Sequence, residues 1–320
     1  MAANRIPSYV LNSGSTMPAV GIGCWMGRSG DGEHVVQMVK NALLLGYRHI
    51  DTASNYGDEE SVGQAIRQSS IMRSEIFITT KLASEDHGRV SDALNKSLEK
   101  LGTNYVDLFL MHWPQALLEN GDALQPDENP TYIDTWKDME QLVKSGKARS
   151  IGVSNFSVKT LTHLLSHADI VPAVNQVEAH PCLPQHGLLK FCQNNGIHLT
   201  AYSPVGKNKF ASHEVVMSIA QHHDVTAAQV LLSWGVQRGT SVIPKTETAQ
   251  RLSENISIIG LTSLEMRDLD VFHQLPGMHH SVCGFHSLLH GGSCFGWTYD
   301  QLGWNMSSGG IAKENEDPLI

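Results

Sequence analysis

Short apolar runs alternate along most of this chain with longer segments in which apolar residues recur every three or four positions. The first pattern is typical of buried β-strands, and the second is typical of helices packed on one face. Repeated strand–helix units imply parallel strands joined by right-handed crossovers, and eight such units close into a barrel. The eight predicted strands cover residues 21–25, 48–51, 76–81, 105–112, 148–154, 173–178, 197–202 and 241–243.

The helical segments between these strands carry recognisable ends. Asp31 can cap a helix whose apolar face runs from 35 to 43 and which ends at Gly46. The apolar stripe that begins at Val90 ends in the same way at Gly102. Further helices are predicted at 59–68, 136–143, 158–166, 187–194 and, in two pieces, 214–237.

Two regions flank the predicted barrel. Residues 9–11 and 17–20 lie on either side of a polar turn and predict an N-terminal hairpin. Residues 276–320 are richer in Gly, His and Ser, break the strand–helix rhythm and predict a loop-like tail over the substrate end of the barrel. Since no low-complexity linker interrupts the chain, we predict one (β/α)8 TIM-barrel domain over 1–320.

The main alternative is an open doubly wound sheet, which normally carries the dinucleotide motif GxGxxG after its first strand. Gly21 and Gly23 begin such a motif, but Met26 occupies its third glycine position. The motif therefore fails, and the closed barrel is favoured.

Composition narrows the class of protein. The formal net charge of −9 argues against a nucleic-acid surface, which needs clustered Lys and Arg. No apolar stretch reaches the roughly 18 residues of a transmembrane helix, and the first residues lack the pattern of a secretory signal. The five cysteines are scattered, as in a reduced cytosolic protein. We expect a cytoplasmic monomer or weak homodimer with a small-molecule substrate.

Three neighbouring predicted strands end in titratable residues, which are Asp51, Lys81 and His112, and Tyr56 follows the first of them closely. The carboxyl ends of barrel strands meet at one face, where catalytic groups collect. We therefore expect the four side chains to share one pocket. Taken singly, Asp51 with Lys81 is equally well explained as a structural ion pair, and Tyr56 as a packing residue.

Together these residues suit proton transfer to a carbonyl oxygen. A phenol has a pKa of about 10, and a lysine at about 4 Å favours the phenolate by roughly 4 kcal/mol before burial is considered. Asp51 would keep Lys81 charged, and His112 would orient the substrate by a hydrogen bond. Such a site suits reversible hydride addition to a carbonyl group. Because no side chain supplies hydride, a nicotinamide cofactor is implied.

Seven segments then match one known family in order. They are GYRHIDTASNYGDEESVG, ITTKL, LFLMHWP, IGVSNF, PAVNQVEAHP, AYSPVG and VIPKT. Over residues 9–275 the chain resembles the aldo-keto reductase family. The resemblance implies a (β/α)8 barrel, NADPH-linked reduction of aldehydes and ketones, and a catalytic tetrad of Asp51, Tyr56, Lys81 and His112.

The resemblance also implies cofactor and substrate contacts. Residues matching the nicotinamide site precede those matching the 2′-phosphate and adenine sites, and together they are Ser154, Asn155, Gln176, Tyr202, Ser203, Lys245, Thr246, Arg251, Glu254 and Asn255. Tyr202 would stack on the nicotinamide ring, and Lys245 and Arg251 would bind the phosphate. Trp25 and Trp113 match aromatics that line the substrate pocket.

Two departures from the family pattern concern the cofactor. The loop between Tyr202 and the helix near Glu214 is short, where many relatives have a longer segment that folds over the cofactor. Glu247 stands near the 2′-phosphate site, where a carboxylate opposes the phosphate or binds ribose hydroxyls. We expect NADPH to be preferred and NADH to be usable.

The tail contains two features that concern the substrate and a possible metal site. Its segment FGWTYDQLGWNM resembles C-termini of fungal members that act on sugars, glycerol or uronates. The tail also contains His279, His280, Cys283, His286, His290 and Cys294, but their spacing fits no standard zinc pattern. We interpret the tail as a polar lid and assign no metal. The alternatives are a nicotinamide-binding regulatory module and a metal-dependent sugar isomerase, for which no metal carboxylates can be placed.

Overall fold

The computed structural model describes residues 6–30, 32–289 and 291–313. Its central feature is an eight-stranded sheet in which each strand pairs in parallel with its neighbours in chain order. The strands are β3 (Ile22–Gly23), β4 (His49–Asp51), β5 (Phe77–Leu82), β6 (Val106–Met111), β7 (Ala148–Ser154), β8 (Val174–Glu178), β9 (His198–Tyr202) and β10 (Ser241–Val242).

The sheet closes on itself at the ends of this order. A parallel bridge joins Val20 to Val242, the Gly21 N–H donates to the Val242 carbonyl at 2.9 Å, and the Val242 N–H donates to the Ala19 carbonyl at 2.8 Å. The predicted (β/α)8 barrel is therefore confirmed. Predicted strand 21–25 is shorter in the structure, where it covers Ile22–Gly23 and the Cys24 N–H still donates to the Asp51 carbonyl at 2.9 Å.

Helices surround the barrel strands, and the apolar stripes predict the first eight of them but not the last two. They are α1 (Gly32–Leu44), α2 (Glu59–Gln68), α3 (Val90–Leu101), α4 (Tyr132–Lys144), α5 (Val158–Leu165), α6 (His186–Asn194), α7 (Glu214–His222), α8 (Ala227–Gln237), α9 (Ala249–Ile256) and α10 (Ser263–Asp270). Gly102 ends α3 in the left-handed conformation, as predicted. Asp31, the predicted cap of α1, lies outside the described residues. No helix of the described chain is long and apolar enough to cross a membrane.

The N-terminal hairpin closes the amino end of the barrel. It consists of β1 (Ser8–Val10) and β2 (Thr16–Pro18), which pair antiparallel as predicted. Met17 is fully buried and packs with Leu108 and Leu110 of β6. Apolar side chains thus fill this end, which leaves the carboxyl ends of the strands as the open face.

The tail is more ordered than a simple loop. It contains two small hairpins, β11 (Ser293–Cys294) with β12 (Trp297–Thr298) and β13 (Met306–Ser307) with β14 (Ile311–Ala312), and the short helix α11 (Tyr299–Leu302). Its buried aromatic and aliphatic residues join the main core cluster: Cys294, Trp297, Tyr299, Leu302, Trp304 and Met306. The sequence missed these elements because they are only two to four residues long.

Candidate active site

Lys81 is the centre of the candidate site. It is fully buried near the end of β5, and its ammonium donates to Asp51 Oδ1 at 2.6 Å and to the Thr52 carbonyl at 2.8 Å. The β4–β5 register pairs Asp51 with Thr79, whose side chain lies on the same side of β5 as that of Lys81, two residues further on. A buried ammonium keeps its charge only where an anion and acceptors surround it, and Asp51 and Thr52 provide them.

Tyr56 and His112 complete the cluster that the strand ends predict. The Tyr56 hydroxyl lies 3.4 Å from Lys81 Nζ, and its ring contacts the His112 ring edge-on at 5.7 Å between centroids. Tyr56 follows β4 in a 3₁₀ turn (Ser54–Tyr56), and Ser54 Oγ donates to the Lys81 carbonyl at 2.9 Å. The four predicted side chains therefore meet in one place.

Burial and neighbouring charges shift the pKa values of Lys81, Tyr56 and His112. Burial would lower the pKa of Lys81, but Asp51 and Tyr56 outweigh it and raise that pKa. Lys81 lowers the pKa of Tyr56 in the direction expected, but burial has the larger effect and raises that pKa to about 12. Burial and the Lys81 charge hold the pKa of His112 well below its usual range. At neutral pH the site therefore contains an ammonium, a neutral phenol and a neutral imidazole.

A buried carboxyl behind this cluster escaped the sequence analysis. Thr52 Oγ1 donates to Asp58 Oδ1, while the Thr52 carbonyl accepts a hydrogen bond from the Lys81 ammonium. Asp58 is 2% exposed, and burial raises its pKa to about 6 against smaller opposing effects of Thr52 and Lys81. The sequence shows an acid two residues after Tyr56, but it shows neither the burial of Asp58 nor its hydrogen bond with Thr52.

Asp58→Asn should make the protein more stable at pH 7.5 by up to about 3 kcal/mol, the equivalent of a shift of about two pKa units. Because the folded state raises this pKa from 3.8 to about 6, the stability it contributes is present below pH 3.8 and is lost as the pH rises through 6. Urea unfolding of both proteins from pH 4 to 8 measures the effect. The exposed carboxylate variant Asp268→Asn is the control, and an equal gain for Asp58→Asn at pH 4 and pH 7.5 would contradict the assignment.

The residues predicted at the nicotinamide end form a connected network. Asn155 Nδ2 donates to the His112 carbonyl at 3.0 Å, and Tyr202 donates to Asn155 Oδ1 at 2.8 Å. Ser154 Oγ donates to the Gln176 carbonyl at 2.8 Å, and Gln176 Nε2 donates to Asp51 Oδ2 at 2.7 Å. The last bond was not foreseen, and it ties this network to the ion pair of Lys81.

The predicted phosphate end lies on the loop that leads into α9. Lys245 donates to Glu247 Oε1 at 2.7 Å, and the second oxygen of Glu247 contacts His34 Nδ1 of α1 at 3.1 Å. Thr246 is buried, whereas Arg251 is exposed on α9 and forms no ion pair within the described residues. Glu247 therefore engages Lys245, while Arg251 is available to an incoming anion.

The remaining predicted cofactor residues lie on the same two loops. Ser203 follows Tyr202 with a positive φ of 50°, which turns the chain at the end of β9. On α9, Glu254 accepts a hydrogen bond from Gln250 at 2.8 Å, and Asn255 is buried.

The two predicted pocket tryptophans have different neighbours: Trp25 contacts Tyr56, and Trp113 contacts the tail. Trp25 is 45% exposed, with its ring 5.1 Å from that of Tyr56. Trp113 is buried against three tail aromatics, with ring centroids 5.1 Å from Phe285, 4.9 Å from Phe295 and 6.0 Å from Trp304. Trp113 thus joins the tail to the open face of the barrel.

Glu178, at the end of β8, anchors the tail and was not predicted to do so. Its buried carboxylate accepts from His180 Nε2 at 2.9 Å, from the Val282 N–H at 2.6 Å and from Ser281 Oγ. Burial alone would raise the pKa of Glu178, but these hydrogen bonds lower it to about 2. An acid at a strand end was the same signal that identified Asp51.

The tail histidines and cysteines do not gather into a metal site in the described part of the chain. His286 Nδ1 contacts the Tyr299 hydroxyl at 2.8 Å and Cys294 Sγ at 3.6 Å, and no three tail donors lie within 4.8 Å of one another. His290 lies outside the described residues. Within those residues, one group of three donors meets that criterion, and it lies elsewhere, on α7 and α10.

The barrel fold of this chain and its similarity to known proteins define a TIM-barrel oxidoreductase. Residues 19–273 match the Aldo/keto reductase family. The chain is 40% identical to D-galacturonate reductase of Hypocrea jecorina, covering 82% of this chain and 89% of that protein. It is 42% identical to glycerol 2-dehydrogenase (NADP(+)) of Saccharomyces cerevisiae, covering 79% and 86% respectively.

A solved structure gives the same answer. The chain superposes on Bombyx mori aldo-keto reductase in complex with NADP with a TM-score of 0.81 and 35% sequence identity, covering 88% of this chain and 96% of that one. The protein belongs to the aldo-keto reductase family.

Proposed function

We propose that this protein reversibly reduces aldehydes or ketones to alcohols, with NADPH as the hydride source and Tyr56 as the proton donor. The observation that carries the proposal is the Lys81 ammonium, which is bonded to Asp51 and lies 3.4 Å from the Tyr56 hydroxyl beside the ring of His112. This arrangement places a neutral O–H donor next to a fixed positive charge. Both groups stabilise negative charge that develops on a carbonyl oxygen.

The roles of the four residues follow from their contacts. Tyr56 keeps its proton at neutral pH because burial raises its pKa, so it can donate that proton to the substrate oxygen. Lys81 then lies beside the phenolate that remains and stabilises it. Asp51 and the Thr52 carbonyl hold Lys81 in place. His112, which is neutral, can orient the substrate by a hydrogen bond without adding charge.

The donor set of the α9 loop fits a dinucleotide phosphate. Lys245, Thr246 and Arg251 offer an ammonium, a hydroxyl and an exposed guanidinium near the start of a helix. Toward the barrel centre, the half-buried ring of Tyr202 is fixed by its bond to Asn155 and can present a face to a nicotinamide ring. When bound, NADPH supplies the hydride that no side chain can supply.

The other predicted cofactor residues would bind the nicotinamide and the adenine. Ser154, Asn155 and Gln176 would hold the nicotinamide amide, with Ser203 beside them. Glu254 and Asn255 would contact the adenine. Since Gln176 also donates to Asp51, a bound nicotinamide would be linked directly to the proton-transfer group.

For the substrate we propose small polyols, sugar aldehydes and related carbonyl compounds such as uronates. The two curated relatives named above carry D-galacturonate and glycerol in their names. The half-exposed Trp25 and the tail-covered Trp113 would form the walls of the pocket. These aromatic walls can pack against the carbon chain of a polyol while its hydroxyls face water.

The direct test is loss of NADPH absorbance on addition of a panel of aldehydes, ketones and uronates. The reverse reaction uses NADP⁺ with glycerol and other polyols. Turnover with one substrate class supports the proposal. Tight NADPH binding without turnover on the whole panel would instead favour a nicotinamide-binding regulatory module.

We further propose that the tail covers the substrate pocket. Removing the whole tail is a poor test, because Glu178 and the core residues that the tail covers would be exposed. Phe295→Ala is milder: the ring is 48% exposed and lies against Trp113.

Phe295→Ala should raise KM for polar substrates roughly 2–10-fold, the equivalent of about 0.5–1.5 kcal/mol for a lost aromatic pair. NADPH affinity should be unchanged, because the predicted cofactor residues lie on other loops. Steady-state kinetics and fluorescence titration measure the two quantities. Leu264→Ala, an exposed apolar truncation on α10, is the control. An unaltered substrate profile in Phe295→Ala would leave the tail with a purely structural role.

A further inference from the structure

Two histidines and a glutamate converge on the outside of the barrel, between α7 and α10. His222 is the last residue of α7, His223 follows it, and Glu265 lies in the first turn of α10. His222 Nδ1 lies 2.8 Å from Glu265 Oε1, and His223 Nε2 lies 3.0 Å from both carboxylate oxygens. The three donor atoms all lie within 4.8 Å of one another.

The spacing of these atoms suits a tetrahedral metal ion. With bonds of about 2.0–2.1 Å, tetrahedral zinc separates any two of its ligand atoms by roughly 3.3 Å. The separations of 2.8 and 3.0 Å between each imidazole nitrogen and Glu265 Oε1 are a few tenths of an ångström shorter, and the two imidazole nitrogens lie within 4.8 Å of each other. Small side-chain rotations therefore admit an ion between the two imidazoles and Glu265.

The carboxylate of Glu265 is oriented by hydrogen bonds from Thr262, the residue before its own helix. The Thr262 N–H and Oγ1 donate to Glu265 Oε2 at 2.7 and 2.9 Å, which orients the carboxylate and leaves Oε1 facing the histidines. Glu265 is buried at 7% exposure. Hydrogen bonds that orient a metal-binding side chain in this way strengthen metal binding.

The outer side of the cluster is open to solvent. The His222 side chain is 67% exposed and that of His223 is 21% exposed. A water molecule can therefore take a fourth position, and an ion can enter without opening the fold. Two imidazole nitrogens with one carboxylate oxygen select zinc-like transition metals over magnesium or calcium, which prefer oxygen ligands.

We propose that His222, His223 and Glu265 bind one divalent transition-metal ion of the zinc class, which clamps the end of α7 to the start of α10. A metal binds only imidazole nitrogens that carry no proton, so binding competes with protonation of the two rings and strengthens as the pH rises. None of the three residues belongs to the site proposed for carbonyl reduction. The clamp is accordingly independent of that activity.

Zinc titration of the untagged full chain, freed of metal by a chelator, tests the proposal. Isothermal calorimetry at pH 7.5 should show one Zn²⁺ per chain, and the same titration at pH 5.5 should show weaker binding. His222→Gln and Glu265→Gln should each weaken Zn²⁺ binding at least roughly tenfold. Glutamine at 265 retains the capping function of the glutamate, and His222 is exposed, so both variants should fold.

His167→Gln is the matched control, because His163 and His167 form a similar exposed pair of rings, 4.9 Å apart, without a carboxylate. Zn²⁺ should also raise the melting temperature of the wild type and of His167→Gln, but not that of His222→Gln. Binding that survives in His222→Gln and Glu265→Gln, or that is lost in His167→Gln, would overturn the proposal. So would a wild-type chain that binds no Zn²⁺. In that case the three residues form only a hydrogen-bonded ion pair.

Discussion

Tyr56→Phe should lower kcat for aldehyde reduction at least roughly 100-fold while leaving NADPH affinity near that of the wild type. The substitution removes the hydroxyl that lies 3.4 Å from Lys81 and leaves the ring, which packs against Trp25 and His112. The loss therefore falls on proton transfer and spares packing. Single-turnover kinetics with NADPH would measure the chemical step directly.

Tyr132→Phe is the control for this experiment. Burial raises the pKa of Tyr132 to about 12, the same value as for Tyr56, but this hydroxyl contacts His163 on the outer helices and has no lysine beside it. Its loss should leave turnover within about twofold of the wild type. Near wild-type turnover in a folded Tyr56→Phe protein would remove Tyr56 as the proton donor.

Arg251→Ala should weaken NADPH binding roughly 10–150-fold and NADH binding hardly at all. A charge-assisted contact with phosphate contributes about 1.5–3 kcal/mol, and NADH lacks the 2′-phosphate. Arg251 matters more than Lys245 here because Glu247 already engages the lysine. Fluorescence titration with both cofactors measures the difference. Arg267→Ala, an exposed arginine on α10, is the control.

Glu247→Asn should widen the preference for NADPH. Its carboxylate lies between Lys245 and His34, and it opposes a phosphate by about 1 kcal/mol because solvent screens an exposed charge. Removing the carboxylate also releases Lys245 toward the phosphate. If the wild type binds NADH as tightly as NADPH, or if Arg251→Ala weakens both cofactors equally, the phosphate pocket lies elsewhere.

The barrel was predictable from the chain because its signals are local. Buried parallel strands read as short apolar runs, and the helices between them carry an apolar stripe and a terminal glycine such as Gly102. Their number and order leave one closed arrangement. The tail was not predictable in the same way, because it is held by contacts with Trp113 and Glu178 of the barrel and not by a periodicity of its own.

The meeting of Asp51, Lys81 and His112 could also be predicted. Each ends or nearly ends a strand, and adjacent parallel strands place such residues at one face of the barrel. This reasoning needs only chain order and strand direction. It extends in principle to Glu178, whose strand end carries the same signal.

Only the tertiary structure shows which of two opposing effects on the pKa of Tyr56 is larger. Lys81 lowers the pKa of Tyr56 as expected, but burial acts in the opposite direction and is larger, so the phenol stays protonated. Burial depends on every element packed around a group, and a sequence pattern does not measure it. The direction of this pKa shift could therefore be settled only with the barrel and tail in place.

Hydrogen bonds between side chains that are far apart in the chain could not be predicted from the sequence either. Thr52 bonds to Asp58 across a turn, but Glu247 reaches His34 over 213 positions, and Glu265 meets His222 over 43. The chain determined which elements form and at which face its strand ends meet, because apolar periodicity and strand direction are properties of local sequence. Which polar groups touch was left to the packing of helices and loops, because hydrogen bonds form only over about 3 Å and depend on the final position of each side chain.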